Sequence, residues 1–359
     1  DTHTASGVHP GQHTVPAALA MGEKMHSTGK EMLASIVVGY DVMIRISSAL
    51  PPLKHQWWAT NATVGTFGAA ISSGKMLDLD KERMICALGI AGSRCFGSRS
   101  IAQDMKDFNP GLSEWIGVTA AMMARMGVKG PDNALERSHG FYDVSSDEFN
   151  RQRVTAGLGD IFKIMETDFK PYACCRHIHP SIDACLEVLR KNKIDPDSVK
   201  RIVVRTYEKA VEIAGSPLFK KQRPESAADA RFSIPYCVAL ATVLGKVGPE
   251  EVAEHIDDTK VLRLAQKIEV LSDARLVRLY PTKHPAVIEV LTSGGEIYSE
   301  KVGCPKGSSE NPMREIEIQE RFRESASKLW NPKKVEQVFM AVHGLETLDN
   351  LSEFAQIMK

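Results

Sequence analysis

Apolar residues in the first part of the chain follow a helical spacing, and the segments are too apolar to be surface helices. The pattern covers residues 30–50, 63–77, 80–97 and 113–127. Small residues recur on single faces of these segments, which allows two helix backbones to approach closely. The pattern predicts a buried helical bundle over about the first 165 residues.

Cap and breaker residues predict two of the helix starts in this bundle. Thr14 precedes the segment VPAALAMGEKM, so we expect it to be an N-cap, with Pro16 in the first turn. Asp80 precedes KERMICALGIAG and is expected to cap that helix.

The pattern changes after Lys170, where short alternating segments predict strands. These segments are residues 199–207, 267–273, 286–292 and 296–302, the last two flanking Ser293-Gly294-Gly295, a hairpin signal. An amphipathic helix is expected over 180–192, and helices return after residue 311. The predicted fold is mostly α with an α+β insert. We expect a helical domain starting with 1–169, an α+β domain over 170–304, and C-terminal helices over 305–359 that return to the helical domain.

The composition indicates which classes of partner and which cellular compartment to expect for the protein. The chain has 45 Lys plus Arg and 45 Asp plus Glu in 359 residues, which argues against a nucleic-acid-binding protein. Its seven cysteines form no CxxC pair, which is typical of reduced thiols in the cytoplasm. The most apolar run contains Asp41 and Arg45, so no membrane-spanning segment is expected.

The stretch KPYACCRHIHP, residues 170–180, contains the densest group of reactive side chains. A metal site is disfavoured, because adjacent Cys174 and Cys175 rarely reach one ion and no second ligand pair has zinc-like spacing. An anion site is the alternative, since Lys170, Arg176 and His177 precede a predicted helix N-terminus, which attracts carboxylates. Ordinary surface ion pairs could also account for Lys170 and Arg176.

Six stretches together resemble the MmgE/PrpD family, which includes 2-methylcitrate dehydratases, cis-aconitate decarboxylases and iminodisuccinate epimerases. They are DTHTASGVHPGQHTVPAALA (1–20), IVVGYDV (36–42), TVGTFGAA (63–70), ALGIAGS (87–93), KPYACCRHIHPSIDA (170–184) and RFSIPYCVALA (231–241). The resemblance implies a helical domain, an α+β lid, an active site between them and a homodimer. It also implies a small polycarboxylate substrate, with no cofactor and no metal.

The resemblance further implies roles for nine residues. The expected catalytic residues are His9, Lys106, Lys170 and Tyr236. His9 would be the base or acid, the two lysines would hold carboxylates, and Tyr236 would donate to a leaving hydroxyl or return a proton. The expected substrate-binding residues are Asp1, Thr2, Cys175, Arg176 and His177. Arg176 and His177 would position the distal carboxylate.

Two positions differ from the general family pattern, and a third differs from the decarboxylases. Ala59 and Asn109 stand where family members usually have histidine, and Cys175 stands where the decarboxylases have histidine. The leading hypothesis is a hydro-lyase acting on a 2-hydroxy tricarboxylate such as 2-methylcitrate. The alternatives are an epimerase of a dicarboxylate such as iminodisuccinate, and a catalytically impaired family member that binds polycarboxylates. Family members usually have a helical segment before the position of Asp1, so we expect residues upstream of it.

Overall fold

A computed structural model describes residues 1–51, 60–95 and 108–358. Contacts divide the chain into two compact units, unit 1 with Asp1–Thr167 and Glu315–Lys359, and unit 2 with Asp168–Arg314. Unit 1 is helical and unit 2 contains helices and a four-stranded sheet. The predicted combination of a mostly helical fold with an α+β part is therefore confirmed. The predicted domain bounds, and the role of the α+β part as a lid, stay predictions.

The first part of unit 1 is a bundle around one central helix. Its helices are α1 (Gly11–Met25), α2 (Gly29–Ser48), α3 (Thr60–Met76), α4 (Lys81–Gly92), α5 (Asn109–Arg125), α6 (Phe141–Ser145) and α7 (Arg151–Thr155). Helix α3 packs against α1, α2, α4 and α5. The core around it includes Met43, Ile44 and Phe67, none of which is exposed. The long apolar segments of the sequence are helices, and the central one, α3, is covered on several sides.

Small residues bring these helices close together, as the sequence predicted. A Cβ added at Gly68 of α3 would lie 3.1 Å from the Cβ of Met43 on α2. A Cβ added at Gly117 of α5 would lie 2.6 Å from the carbonyl oxygen of Thr66 on α3. Contacts below 3.0 Å to backbone atoms cannot be relieved by a rotamer change, so Gly117 is required by packing.

The caps agree with the sequence at one helix and differ at another. Asp80 accepts a hydrogen bond from the backbone N–H of Arg83, so its predicted N-cap role is confirmed. The prediction for α1 is wrong, because α1 begins at Gly11 and Pro16 lies inside it. The Thr14 hydroxyl donates to the carbonyl of Pro10, one turn back, rather than accepting from the chain ahead.

The two charges that interrupt the apolar sequence of α2 form a buried ion pair. Arg45 Nε lies 2.6 Å from Asp41 Oδ2, one turn away on α2. The same guanidinium donates to the carbonyls of Ala156 and Ile161, at 2.7 Å each. Asp41 Oδ1 accepts from the backbone N–H of Lys163 at 2.8 Å. The pair therefore fixes the loop after α7 to α2, and its charges are satisfied inside unit 1.

Unit 2 is a small mixed sheet with helices packed on it. Its helices are α8 (His179–Asn192), α9 (Glu208–Ala210), α10 (Leu218–Gln222), α11 (Ala227–Ala230), α12 (Ile234–Leu244), α13 (Pro249–Glu254), α14 (Thr259–Ala265) and α15 (Ala274–Val277). Its strands are β1 (Val199–Thr206), β2 (Ile268–Ser272), β3 (Ala286–Thr292) and β4 (Ile297–Val302). The strand order is β2-β1-β3-β4, with β1 and β2 parallel and the other pairs antiparallel. The four predicted strands and the hairpin are confirmed.

The core of unit 2 lies between the sheet and two helices. Val204 of β1 is paired with Val270 of β2 and Ile288 of β3, so one row of branched side chains crosses three strands. Helix α8 covers β3 and β4, and α12 packs on α8 and β2. A π-helical turn over Val211–Gly215 follows α9, and such turns occur frequently at functional sites.

The chain returns to unit 1 through its last three helices. These are α16 (Glu315–Ala326), α17 (Pro332–His343) and α18 (Leu351–Met358). Helix α18 packs on α1, where Leu351 contacts the position at which Gly22 lacks a side chain. None of the described helices is both long and apolar enough to cross a membrane.

Candidate functional site

The N-terminal loop of unit 1 places His9 directly before α1. His3 and Val8 form an antiparallel bridge, and the His3 N–H donates to the Val8 carbonyl at 2.8 Å. The backbone N–H of His9 donates to Asn61 Oδ1 on α3 at 2.7 Å. The loop is therefore fixed at both ends, and the position of the His9 ring follows from it.

The contacts of its Nδ1 atom determine which nitrogen of His9 carries the proton. Nδ1 lies 2.9 Å from the carbonyl oxygen of Asp1 and 3.1 Å from the hydroxyl of Thr2. The Thr2 hydroxyl itself donates to the Asp1 carbonyl at 2.7 Å. A carbonyl oxygen can only accept, so Nδ1 carries the proton of neutral His9 and the lone pair is on Nε2. Nε2 can thus accept a proton from a substrate.

Asp1 and Thr2 build the surroundings of His9 from inside the loop. The Asp1 carboxylate accepts from the backbone N–H of Gly11, the first residue of α1, at 2.9 Å. A carboxylate at this end of a helix is stabilised by the unpaired N–H groups and the helix dipole. Thr2 is only 4% exposed. Both residues position His9, and their predicted contact with substrate stays a prediction.

A second histidine, His13, supports this arrangement and was missed in the sequence. Asn61 Nδ2 donates to His13 Nε2 at 3.1 Å, while its Oδ1 accepts from His9. Burial lowers the pKa of His13 to about 4, so His13 is neutral at pH 7. Its ring occupies the space that a side chain at Gly65 would need, with 2.5 Å from Nδ1 to an added Cβ. Asn61 lies four residues before Gly65, so the two residues lie on one face of α3. This spacing was the sequence signal that could have pointed to a common neighbour.

Two positions of interest fall outside the described residues. Lys106, expected to hold a carboxylate, and Ala59, the first departure from the family pattern, both lie there. Asn109, the second departure, is the first residue of α5. Its carbonyl accepts from the Ser113 hydroxyl at 3.1 Å, an ordinary contact within a helix.

In unit 2, the stretch 169–180 is anchored by backbone hydrogen bonds to three separate segments. The N–H of Phe169 donates to the Gly307 carbonyl at 2.8 Å, and that of Ala173 donates to the Val247 carbonyl at 3.0 Å. The N–H of Cys175 donates to the Arg231 carbonyl at 2.8 Å. These bonds hold the stretch in place before α8, so its side chains have defined directions.

Arg176, predicted to bind substrate, is buried and has several partners inside unit 2. It is 5% exposed, and its Nε lies 3.2 Å from Asp168 Oδ2. Its Nη1 donates to the Lys306 carbonyl at 2.8 Å and lies 3.1 Å from His179 Nδ1. A buried guanidinium needs these partners because an uncompensated charge is costly inside a protein. These contacts involve the group that was expected to position the distal carboxylate, and that role stays a prediction.

Tyr236 is likewise placed inside unit 2. Its side chain is fully buried near the start of α12, and its hydroxyl donates to the Val252 carbonyl at 3.2 Å. Burial raises the pKa of this phenol. The hydroxyl that was expected to serve a leaving group is therefore bonded within the core, and its predicted catalytic role stays a prediction.

His177 is the partly exposed histidine of this stretch, and it lies in an aromatic cluster. Its Nδ1 is 2.6 Å from the hydroxyl of Tyr207, the residue directly after β1. The Tyr207 ring stacks on Tyr280 with centroids 4.6 Å apart, and the His284 ring lies edge-on to both. Burial, together with the charges of Lys209 and Lys170, lowers the pKa of His177 to about 4. Sequence analysis missed Tyr207, Tyr280 and His284. Tyr280 and His284 lie 73 to 107 residues after Tyr207 and His177 in the chain, so no local motif connects them.

Three lysines give unit 2 its positive charge near this cluster. Lys170 and Lys209 act on His177, and Lys209 pairs with Glu212 at 2.8 Å. Lys221 lies near Cys175, and burial lowers its pKa. Cys175 and Lys170 are both partly exposed.

The described residues contain no group of side chains that could hold a metal ion. No three His, Cys, Asp or Glu side chains of residues 1–51, 60–95 and 108–358 lie close enough to hold an ion. The chemistry that the described groups offer is proton transfer and hydrogen bonding to carboxylates.

Comparison with protein families gives two matches that follow the two parts of the fold. Residues 1–153 match the MmgE/PrpD N-terminal domain, and residues 172–345 match the MmgE/PrpD C-terminal domain. The chain belongs to the MmgE/PrpD family. The resemblance inferred from the six sequence stretches is confirmed.

Individual relatives of this MmgE/PrpD protein are enzymes with a lyase activity in their names. The cis-aconitate decarboxylase-like protein oryM of Aspergillus oryzae is 25% identical over 385 residues, covering 100% of this chain and 78% of that protein. The cis-aconitate decarboxylase of Aspergillus terreus is 22% identical over 382 residues, covering 100% and 77%. The cis-aconitate decarboxylase of Mus musculus is 23% identical over 368 residues, covering 98% and 73%.

Proposed function

We propose that this MmgE/PrpD protein is a cofactor-independent lyase that removes a proton α to a carboxylate of a tricarboxylate. The preferred reaction is loss of water from a 2-hydroxy tricarboxylate such as 2-methylcitrate. The observation that carries the proposal is the hydrogen bond between His9 Nδ1 and the Asp1 carbonyl, 2.9 Å long, which leaves the lone pair on Nε2. The relatives named above support a lyase that acts on a carboxylate-rich substrate.

Proton removal α to a carboxylate creates a carbanion with doubled negative charge on that carboxylate. A positioned general base contributes about 10²–10⁴-fold to such a step. His9 is assigned this role. Lys170 and Lys106 are assigned to the carboxylates, where a fixed donor contributes about 3–4 kcal/mol to the transition state. His177 is assigned to a distal carboxylate in place of Arg176.

The leaving hydroxyl needs a proton as the carbon–oxygen bond breaks. The Tyr236 hydroxyl already donates to the Val252 carbonyl. We assign this proton to His9, because the imidazolium formed by proton removal can give the same proton to the hydroxyl. Proton balance then requires no second acid.

Decarboxylation is the second candidate, since the relatives described above are named for it. That reaction breaks a carbon–carbon bond and then needs a proton for the resulting carbanion. An epimerase remains the alternative in which the proton is removed and returned without any leaving group.

One experiment separates these reactions. Full-length protein is incubated in heavy water with citrate, 2-methylcitrate, cis-aconitate and a dicarboxylate, and proton NMR follows each compound. New olefinic signals from a hydroxy acid indicate dehydration and support the proposal. Loss of carbon dioxide from cis-aconitate supports decarboxylation, and deuterium exchange without product supports epimerisation. No change in any compound would contradict all three, and leave a protein that only binds polycarboxylates.

We also propose that the protein is a homodimer. Exposed apolar side chains follow one face of α5 at helical spacing and continue one residue beyond its end, with Trp115 68% exposed and Met126 82% exposed. Burying this face against a second copy would remove it from water. Light scattering after size exclusion should give twice the chain mass, and Trp115→Glu should reduce that mass; a monomeric wild type would contradict the proposal.

A further inference from the structure

The contact between His177 and Tyr207 determines which nitrogen of His177 carries the proton. Tyr207 is fully buried, and its hydroxyl lies 2.6 Å from His177 Nδ1. If the hydroxyl donates, Nδ1 accepts and both groups are satisfied. If Nδ1 donates instead, the Tyr207 O–H has no acceptor among the described residues. A buried donor without a partner is costly, so Tyr207 is the donor.

We propose that Tyr207 is a positioning residue that holds His177 as a neutral imidazole with its proton on Nε2, so that His177 donates to a carboxylate of the substrate. This inference rests on the proposed function for the identity of the ligand, a polycarboxylate. The tautomer itself follows from the contact alone. His177 then presents an N–H group and no lone pair, so it binds carboxylate oxygen without competing with His9 for the proton.

The charges around His177 agree with a neutral ring. Lys209 and Lys170 disfavour the imidazolium, and Glu212 favours it less strongly. Glu212 is also paired with Lys209, which reduces its effect on the ring. Burial of the side chain acts in the same direction as the lysines. His177 therefore stays neutral at pH 7. The lysines contribute positive charge, and the Nε2–H group of His177 provides a directed hydrogen bond.

The other members of the aromatic cluster hold Tyr207 in place. Tyr280 stacks on it with an interplanar angle of 11°, and His284 lies edge-on at 5.4 Å between centroids. Burial keeps His284 neutral too, because it lowers the pKa to about 3. No charge within the cluster then opposes the direction of the Tyr207 hydroxyl.

The tautomer is tested by NMR of protein labelled with ¹⁵N-histidine. His177→Gln removes one imidazole and so identifies the His177 signals. The expected result is an unprotonated Nδ1 and a protonated Nε2, with a shift of the Nε2–H signal on addition of citrate. In Tyr207→Phe the two tautomers should interchange, and citrate should bind about tenfold more weakly, which corresponds to about 1.4 kcal/mol. Tyr280→Phe is the matched control, because it removes a hydroxyl but keeps the ring stacked on Tyr207, and it should leave the tautomer unchanged.

Two variants of His177 separate donation from packing. The amide nitrogen of Gln can replace Nε2, and that of Asn can replace only Nδ1. His177→Gln should therefore retain citrate affinity within about threefold, and His177→Asn should lose about tenfold, or about 1.4 kcal/mol. Thermal unfolding of both variants reports the packing contribution separately.

Each outcome bears on one of the two proposals. A proton on Nδ1 in the wild type, or equal citrate binding by the Gln and Asn variants, would overturn the inference. A confirmed tautomer and citrate shift, together with no turnover of any polycarboxylate, would contradict the proposed function and leave the inference standing. Turnover of a polycarboxylate by a protein whose His177 carries its proton on Nδ1 would support the proposed function and contradict the inference.

Discussion

His9 in unit 1 and His177 in unit 2 are both partly exposed histidines that precede a long helix, yet their contacts give them opposite chemistry. Nδ1 of His9 faces a carbonyl oxygen, which can only accept. Nδ1 of His177 faces a buried phenol, which donates. His9 therefore has its lone pair on Nε2, and His177 has its proton there.

The difference shows that the partner of Nδ1, and not the histidine itself, decides what Nε2 can do. A histidine that accepts at Nε2 suits proton removal, whereas one that donates suits the binding of a carboxylate. The proposed function uses both actions. Two histidines with the same tautomer would provide only one of them.

The same substitution at the two histidines should have very different effects. An amide cannot act as a base near neutral pH, so His9→Gln should lower kcat by about 10²–10⁴-fold. His177→Gln keeps an N–H donor and should leave kcat and KM within about threefold. Steady-state kinetics on the substrate identified by NMR provides the measurement. His139→Asn, an exposed histidine of unit 1 at φ +58°, is the control and should have no effect, since Asn tolerates that backbone conformation.

Equal losses at the two positions would contradict the comparison. A large loss at His177→Gln with full activity of His9→Gln would reverse the roles assigned to the two histidines.

Arg176 tests whether the charge next to His177 acts on the substrate or on the fold. Arg176→Met removes a buried guanidinium that pairs with Asp168 and donates to the Lys306 carbonyl, so the free energy of unfolding should fall by about 3–5 kcal/mol. Chemical denaturation of the full-length protein measures this loss. Arg190→Ala, whose side chain is 71% exposed, should change it by less than about 1 kcal/mol. A stable Arg176→Met variant that no longer binds citrate would restore the substrate-binding role predicted from the sequence.

The smallest expected effect is on the pH dependence of the free energy of unfolding. The pKa of His177 is about 4 in the folded protein and near 6.5 in the unfolded chain, so the unfolded state binds more protons between these values. Stability is fully present above pH 6.5 and is lost as the pH falls toward 4, by up to about 1.4 kcal/mol per pH unit. The slope of stability against pH should be smaller in His177→Gln than in wild type, by an amount equivalent to nearly one bound proton. Denaturation from pH 7 to 4.5 measures this slope. A steeper slope in the variant would contradict a neutral His177.

Much of the secondary structure could be predicted, because local patterns determine it. The long apolar segments, the alternating strands and the Asp80 cap required only the residues themselves. The start of α1 could not be predicted from Thr14 and Pro16. The helix begins at Gly11, where the distant Asp1 carboxylate satisfies its first N–H.

The candidate site could be predicted only in part. The side chains of His9, Lys170 and His177 are partly exposed, whereas Arg176 and Tyr236 are bonded inside unit 2. A sequence motif does not distinguish a side chain that faces a ligand from one that faces a neighbouring carbonyl. That distinction depended on Lys306 and Val252, which are 130 and 16 residues away from Arg176 and Tyr236.

The sequence by itself determined the family, the helical and α+β parts, and the presence of histidines and lysines in two short stretches. Only the tertiary structure decided the protonation pattern of those histidines. The reason is physical: the lone pair of a neutral imidazole moves between its two nitrogens according to the hydrogen bond that one of them makes. For His9 that partner is eight residues away in the chain, and for His177 it is thirty.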